Sequence, residues 1–226
     1  MRNKLPFLIT LLTLLALAIL LTIYLSWFFY PMEISWLGLE KLSGRSPAII
    51  EKNFHILMDY LTNPFNWRLE MPNFPSSSDG LYHFESVKKL FHLVQLISLI
   101  GLALTVWLIR KKLKKDLPFF WSRGLAAAAA LPILIAVLTV LVGFDQFFIL
   151  FHQLLFPDDS TWLFHPDSDP VILILPEIFF LHCFVLFLFC YESLIGLAFG
   201  LLKLKSLNFF KNSYNQSPIK SKNMIE

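Results

Sequence analysis

The sequence predicts an all-α membrane protein with four transmembrane helices, and with both the N-terminus and the C-terminus on the inner side. The 226-residue chain is 56% hydrophobic and only 15% charged, with a mean hydropathy of +0.63. Soluble domains average about 25% charged residues, so this composition argues against a soluble globular protein, a disordered chain and a nucleic-acid binder. Four long apolar stretches give the number of helices, and the distribution of Lys and Arg gives their orientation. The whole chain, residues 1–226, is interpreted as a single integral membrane domain.

Each apolar stretch has about the 20 residues that a bilayer requires. The predicted spans cover residues 5–30, 90–109, 125–151 and 176–202. The first span could be a cleaved signal peptide, but its apolar run exceeds the usual length of about 7–15 residues, and no small-residue cleavage site follows it. We therefore interpret it as a transmembrane helix.

Basic residues are concentrated at the chain ends and in one loop. Residues 1–4, 110–124 and 203–226 together carry 13 Lys and Arg, whereas 31–87 carries four and 152–170 carries none. Because cytoplasmic loops are enriched in Lys and Arg, this distribution places both termini inside. It makes 31–87 and 152–170 an extracellular cap, formed mainly by the first of these segments. The tail 203–226 is expected in the cytoplasm, where disorder is one alternative.

The first outer segment is expected to contain a helix of its own. Ser46-Pro47 is typical of an N-cap followed by proline in the first turn, and Asn63-Pro64 ends the helix. Apolar residues recur between these signals at helical spacing: Ile50, Phe54, Leu57, Met58 and Leu61. The apolar face of this helix must lie either on the bilayer surface or on the second outer segment.

Two of the six histidines, His83 and His152, are predicted to lie at similar depth at the outer interface. His83 comes shortly before the second span, and His152 ends the third. Neither position needs histidine for spanning or packing. A neutral imidazole can act as a general base near pH 7, and its protonated form can donate to a developing oxyanion. The two side chains are therefore the candidate catalytic groups.

The other four histidines give weaker indications of a functional site, and the sequence contains no motif typical of a metal site. His55 and His165 are expected to be interfacial or solvated, whereas His92 and His182 are either packing residues or functional groups within the spans. No HExxH or similar close-spaced ligand set is present, so we expect no metal site. Nothing in the sequence implies a cofactor.

Aromatic residues gather near the predicted outer ends of the spans. Phe occurs 24 times and aromatic residues make up 16% of the chain. An interfacial aromatic belt explains part of this excess, but the inner side has fewer aromatics, so we also expect an aromatic-lined chamber. Asp145, Phe148 and His152 share one helical face. Asp145 lies about 10 Å along the helix from His152, too far to orient its imidazole, and is expected to contact a neighbouring helix.

One stretch matches a family pattern. Residues 144–180 read FDQFFILFHQLLFPDDSTWLFHPDSDPVILILPEIFF. The FD…F…FH run, the Trp-x-Phe step and the Asp-Pro…Leu-Pro-Glu…Phe-Phe ending resemble the bacterial lipoprotein intramolecular transacylase family of integral membrane proteins. Shorter matches at 53–61 (NFHILMDYL) and 83–91 (HFESVKKLF) extend the resemblance over most of the chain.

The resemblance implies a reaction and the groups that perform it. Such enzymes move the sn-2 acyl chain of a diacylglyceryl-cysteine lipoprotein to the cysteine α-amino group, which gives the lyso-form lipoprotein. The implied catalytic residues are His83 and His152, the same pair that the topology indicates. The implied supporting or substrate-binding residues are Tyr60, Asp145, Phe148, Phe151, Trp162, Asp169 and Glu177.

The resemblance also implies partners and a location. The partners are the diacylated N-terminus of a lipoprotein and membrane lipid, with no nucleic acid. The location is the bacterial cell membrane, where a multi-pass protein carries its active site at the outer face. Two positions depart from the family pattern, which has acids where this chain has Ser86 and His165. If those acids position the histidines, other groups must do so here.

Two other functions remain open from the sequence. One is a non-catalytic membrane receptor or assembly module that acts through the cap. The other is acyl transfer or hydrolysis on a free lipid. Which histidine acts as base and which as acid also stays open.

Overall fold

The computed structural model describes residues 4–112 and 119–215, and these residues form helices without any strand. The elements are α1 (Lys4–Trp36), α2 (Leu39–Ser43), α3 (Pro47–Thr62), α4 (Ser78–Lys112), α5 (Phe119–Val142), α6 (Phe144–Leu155), a 3₁₀ turn (Pro170–Leu173) and α7 (Glu177–Asn215). The first connecting segment, 37–77, joins α1 to α4 and contains α2 and α3. The second connecting segment, 156–176, joins α6 to α7.

Four of the helices are long and apolar enough to cross a membrane, in agreement with the four predicted spans. They are α1, α4 as far as Leu108, α5 from Trp121, and α7 as far as Leu204. Large apolar side chains on these helices are exposed in the isolated chain, among them Val140 and Leu141. Such a surface is stable only against lipid.

Helix α1 packs against both α4 and α7, and α5 packs mainly against α7. Small residues allow the close approaches. A Cβ added at Gly101 of α4 would lie 2.4 Å from Oγ1 of Thr13, and one added at Gly124 of α5 would lie 2.4 Å from the ring of Phe7. Glycine at such positions allows membrane helices to pack tightly by van der Waals contact.

The predicted third span, 125–151, is divided in the structure. Helix α5 ends at Val142 and α6 begins at Phe144, because Gly143 between them has a φ of 90°. Glycine adopts positive φ without the steric penalty of a Cβ, so the chain changes direction here. His152 therefore lies on a short separate helix. Helix α4 also begins at Ser78, well before the predicted span boundary at residue 90, so His83 lies within this helix.

The helix predicted within the first connecting segment is present as α3, and Pro47 is its first residue. The Ser46 side chain makes no capping hydrogen bond. The apolar face of α3 is buried in a core shared with α1, α4 and the second connecting segment. The Phe54 ring stacks on Tyr30 of α1 with centroids 3.4 Å apart, and the Tyr30 hydroxyl donates to the Ile174 carbonyl at 2.6 Å.

Candidate active site

The structure brings His83 and His152 together. His83 lies on the second turn of α4 and His152 near the end of α6, and their ring centroids are 5.9 Å apart at an interplanar angle of 38°. The side chains are 6% and 9% exposed. Two imidazoles at this separation can both reach one reacting group of a substrate placed between them.

His152 is held in a defined tautomer by its own helix. Its Nδ1 lies 2.8 Å from the Phe148 carbonyl, one turn earlier, so Nδ1–H donates and Nε2 is left as the acceptor. Burial lowers the pKa of His152 below its ordinary value, and the hydrogen bond to Phe148 acts in the opposite direction. A neutral imidazole with a free Nε2 is suited to act as a general base near pH 7.

His83 has an unsatisfied nitrogen. Its Nδ1 is buried and has no hydrogen-bond partner among the residues that the structure describes. A buried polar atom without a partner is costly, and such atoms often mark places that a ligand completes. The Nδ1 of His83 is therefore available to a substrate group.

Aromatic rings from α6 and the second connecting segment surround the two imidazoles. Trp162 stacks on His152 with centroids 4.6 Å apart, and Phe164 meets His83 edge-on at 5.6 Å. Phe156 contacts both imidazoles, at 5.0 and 6.1 Å. Phe148 and Phe151 of α6 complete the cluster around His152. These rings touch one another and the imidazoles, and the aromatic-lined chamber stays a prediction.

A turn in the second connecting segment holds Trp162 in place and contains an acid that the sequence reasoning did not select. The Asp159 carboxylate accepts from the Thr161 N–H at 2.8 Å, and its carbonyl accepts from the Trp162 indole N–H at 3.0 Å. The hydrogen bonds to Thr161 and the nearby His83 lower the pKa of Asp159. The Asp-Ser-Thr sequence, typical of a side chain that bonds its own turn, could have indicated this residue.

Asp169 connects the second connecting segment to the start of α4. Its buried carboxylate accepts from the Ser77 N–H and the Ser168 hydroxyl, each at 2.8 Å. The Ser77 hydroxyl in turn accepts from the Gly80 N–H at 3.0 Å. Because His83 follows Gly80 on the same helix, these bonds fix the helix end that carries His83.

The remaining candidate residues are Asp145, Glu177 and Tyr60. Asp145 on α6 lies close to Glu177, the first residue of α7. Tyr60 lies in the last turn of α3, where the Lys88 ammonium is 4.6 Å from its ring centroid.

The other four histidines have partners or solvent of their own. His182 pairs with Glu33 at 2.8 Å, and His92 with Gln95 at 2.8 Å. His55 accepts from the Trp27 indole, and His165 is exposed. No group of three or more metal-ligating side chains occurs in the described part of the chain.

Two surface cavities, of about 580 and 430 Å³, lie away from the imidazoles. The first is an open groove along α3 that includes Glu51, His55 and Asp59, and the second lies around Met71 and Leu81. Neither of these two cavities is lined by His83 or His152.

The family of the chain is shown by its match to a family model. The family model of the lipoprotein intramolecular transacylase Lit matches residues 5–180. The chain belongs to this family. The resemblance carried by residues 144–180 is thereby confirmed.

Solved structures agree with this assignment. The membrane integral Lit from Bacillus cereus is similar over 96% of this chain and 99% of its own, with a TM-score of 0.74 and 27% identity. A variant of that protein with one histidine replaced by alanine covers 91% and 95%, with a TM-score of 0.70 and 27% identity. A variant with arginine at that histidine, 24% identical, covers 100% and 95% with a TM-score of 0.70 and supports the fold alone. No curated protein sequence matches the chain.

Membership in the Lit family has two consequences. The chain is an acyltransferase, and it is a multi-pass membrane protein, since the Lit relative is membrane integral and four helices here are apolar enough to span. The family therefore favours an enzyme over the non-catalytic receptor or assembly module.

Proposed function

We propose that this Lit family member moves the sn-2 acyl chain of a diacylglyceryl-cysteine lipoprotein to the α-amino group of the same cysteine, which gives the lyso-form lipoprotein. His83 and His152 supply the acid and base. The observation that carries the proposal is the contact between these two imidazoles in a chain of this family, with ring centroids 5.9 Å apart.

The chemistry needs no group beyond the substrate and the two histidines. The neutral α-amine attacks the sn-2 ester carbonyl, and a C–N bond forms while a negative charge develops on the carbonyl oxygen. A neutral imidazole, for which His152 has a free Nε2, takes the proton from the amine. The C–O bond then breaks, and the glycerol oxygen leaves with a proton from an imidazolium.

Proximity contributes much of the rate, because the nucleophile and the ester belong to one molecule. Fixing two reacting groups in an attack geometry can contribute about 7–11 kcal/mol. The aromatic cluster of Phe148, Phe151, Phe156 and Trp162 is apolar enough to hold acyl chains beside the imidazoles. Since the rings now touch, α6 and the second connecting segment must separate from α4 when the substrate enters.

The proposed location is the bacterial cell membrane, with the active site at the outer face and both termini in the cytoplasm. The Lys and Arg distribution supports this orientation, because the two connecting segments that form the site carry few basic residues. The proposed cap consists of those segments, and the proposed partners are the lipoprotein N-terminus and membrane lipid. Neither a metal, a cofactor nor a nucleic acid has a role in the proposal.

The experiment expresses the chain in a bacterium that makes diacylated lipoproteins but has no amine-acylating enzyme. The product is an isomer of the substrate, so intact mass alone does not detect it. Tandem mass spectrometry of the N-terminal lipopeptide locates the acyl chain, and an amine-reactive reagent reports whether the α-amine is blocked. We expect N-acylated, S-monoacylglyceryl cysteine only when the chain is present.

Three variants assign the chemistry. His83→Ala and His152→Ala should each abolish conversion, whereas His55→Ala, which removes an imidazole on α3, should leave it unchanged. Membrane levels of each variant are compared to exclude unfolding. Full conversion by both catalytic variants would overturn the histidine assignment. Release of free fatty acid without amine acylation would favour hydrolysis of a free lipid.

A further inference from the structure

The contacts of α3 give its direction relative to the spans. Near its middle, Phe54 stacks on Tyr30 of α1, and His55 contacts Trp27. At its end, the Thr62 carbonyl accepts from Nε2 of Gln95, which also lies 3.4 Å from the hydroxyl of Tyr24. As α3 proceeds to its C-terminus, the α1 residues at the same level come earlier in the chain, since Thr62 and Tyr24 both contact Gln95. Helix α3 therefore runs back along α1, towards the middle of the membrane.

The position of Gln95 on α4 gives the depth. The basic run that begins at Arg110 marks one edge of the apolar stretch, and a hydrocarbon core of about 30 Å takes about 20 helical residues. The other edge then falls near Leu90. Gln95 lies about 7 Å inside this edge, at 1.5 Å per residue, and Lys88 lies about 3 Å outside it. The C-terminal end of α3 is thus at the level of the lipid interface.

The polar groups at this level are satisfied by two side chains of α4. The Lys88 ammonium, 3% exposed, donates to the carbonyls of Tyr60, Asn63 and Asn66, at 2.7 Å for Asn63 and 2.9 Å for Asn66. Gln95 donates to Thr62 at 3.0 Å. The last carbonyls of a helix have no partners within the helix, and lipid cannot supply donors for them. These contacts explain why a lysine is buried at the edge of a span.

The chain that follows α3 presents apolar surface at the same level. Phe65 is 87% exposed and Trp67 is 78% exposed, and Arg68 beside them is also exposed. Below Lys88 on α4, Leu93 and Leu96 continue the exposed apolar surface. Aromatic rings next to an arginine are typical of the interface between headgroups and acyl chains.

We propose that residues 63–68 insert into the headgroup–acyl boundary of one lipid leaflet, the outer one in the proposed topology, and anchor α3 to the membrane. Lys88 and Gln95 hold the segment there. The partner is phospholipid, because the segment lies at membrane depth and joins the lipid-facing surface of α4. Arg68 pairs with Glu70 and Lys89 with Glu85, so the surface has little excess charge and needs no anionic lipid.

The test measures the depth of a spin label at Phe65. The full chain, with Cys183→Ser and Cys190→Ser to remove the native thiols, carries Phe65→Cys and is reconstituted in phosphatidylcholine vesicles. We expect the label to collide more often with dissolved oxygen, which concentrates in lipid, than with a water-soluble nickel chelate. Lys52→Cys, at an exposed position on α3 before this segment, is the control and should show the reverse. Equal nickel accessibility at both positions would overturn the proposal.

A second variant tests the role of Lys88. Lys88→Met removes the ammonium but keeps an unbranched side chain, which leaves three carbonyls without their donor. We expect the nickel accessibility of the Phe65 label to rise to about the value measured for the Lys52→Cys label. An unchanged profile would show that Lys88 does not hold the segment. The measurement does not involve catalysis, so it stands or fails separately from the proposed function.

Discussion

Asp169 and Ser77 are joined by a hydrogen bond across 92 residues of sequence, from the Ser77 N–H to Oδ1 of the Asp169 carboxylate at 2.8 Å. The bond ties the second connecting segment to the residue that immediately precedes α4. The same segment places Trp162 against His152 and Phe164 against His83. One short stretch of chain thus touches both imidazoles and fixes the helix end that carries one of them.

The first prediction concerns Gly80, which faces Asp169. A Cβ added at Gly80 would lie 2.2 Å from the Asp169 Oδ1, so Gly80→Ala must displace the carboxylate or the helix. We expect a loss of about 1–3 kcal/mol in the free energy of unfolding, measured by thermal denaturation in detergent. Gly196→Ala is the matched control. It is also helical, and nothing lies within 4 Å of its added Cβ, so it should be neutral or slightly stabilising. Equal melting temperatures for both variants would contradict the prediction.

The second prediction concerns the pH dependence of the reaction. Activity should fall in two steps as pH drops, because both the attacking α-amine, with an ordinary pKa of about 7.7–8.0, and the base must be neutral. Burial lowers the pKa of His152, so the second step lies below the ordinary histidine value of 6.5, and this second step is the acid limb that reports His152. Trp162→Ala uncovers the imidazole, which should raise this pKa and move the acid limb of the kcat profile to higher pH. Trp162→Phe keeps an aromatic ring there and should shift the limb less. An acid limb unmoved by Trp162→Ala would argue against His152 as the base.

The third prediction separates two adjacent acids. Asp159 lies near enough to His83 for the imidazole to help lower the Asp159 pKa, so a negative charge is present in the neighbourhood of His83 at neutral pH. Asp159→Asn keeps an oxygen that can accept from the Thr161 N–H but removes the charge that favours a protonated His83. We expect kcat to fall about 2–10-fold, a modest loss because water and salt screen an exposed charge.

Asp158→Asn is the control for that prediction. Asp158 has a φ of 60°, which asparagine also tolerates, so the turn should be retained. The kcat of the Asp158→Asn variant should stay within about twofold of the kcat of the unsubstituted chain. If the two substitutions lower kcat equally, the effect comes from the turn as a whole, and Asp159 has no separate electrostatic role.

Much of the architecture followed from local patterns. The four apolar stretches predicted four helices able to span, and Pro47 and Asn63 predicted both ends of α3. These signals are readable because hydropathy, proline and helix ends act over a few residues. The sequence also predicted that His83 and His152 lie at similar depth, since they stand at the ends of two successive spans on one side of the membrane. The family pattern in residues 144–180 predicted the family to which the chain belongs.

Other features depended on contacts between distant segments. The break at Gly143 was not visible, because glycine tolerates both helical and positive φ and the sequence does not show which is used. Asp145 and Glu177 were candidate supporting residues, and only the folded chain shows that they lie close to each other. Asp159 was not selected, because its nearness to His83 arises from the path of the second connecting segment.

The sequence by itself determined the class of the protein, since apolar stretches of this length are stable only in lipid and since basic residues are concentrated outside them. It also singled out His83 and His152. The tertiary structure decided how those imidazoles are held: the tautomer of His152 by the Phe148 carbonyl, its burial by Trp162, and the start of α4 by Asp169. The reason is physical. Hydropathy and helix signals sum over neighbours in the chain, whereas a hydrogen bond or a stacked ring requires two remote segments to meet within a few ångströms.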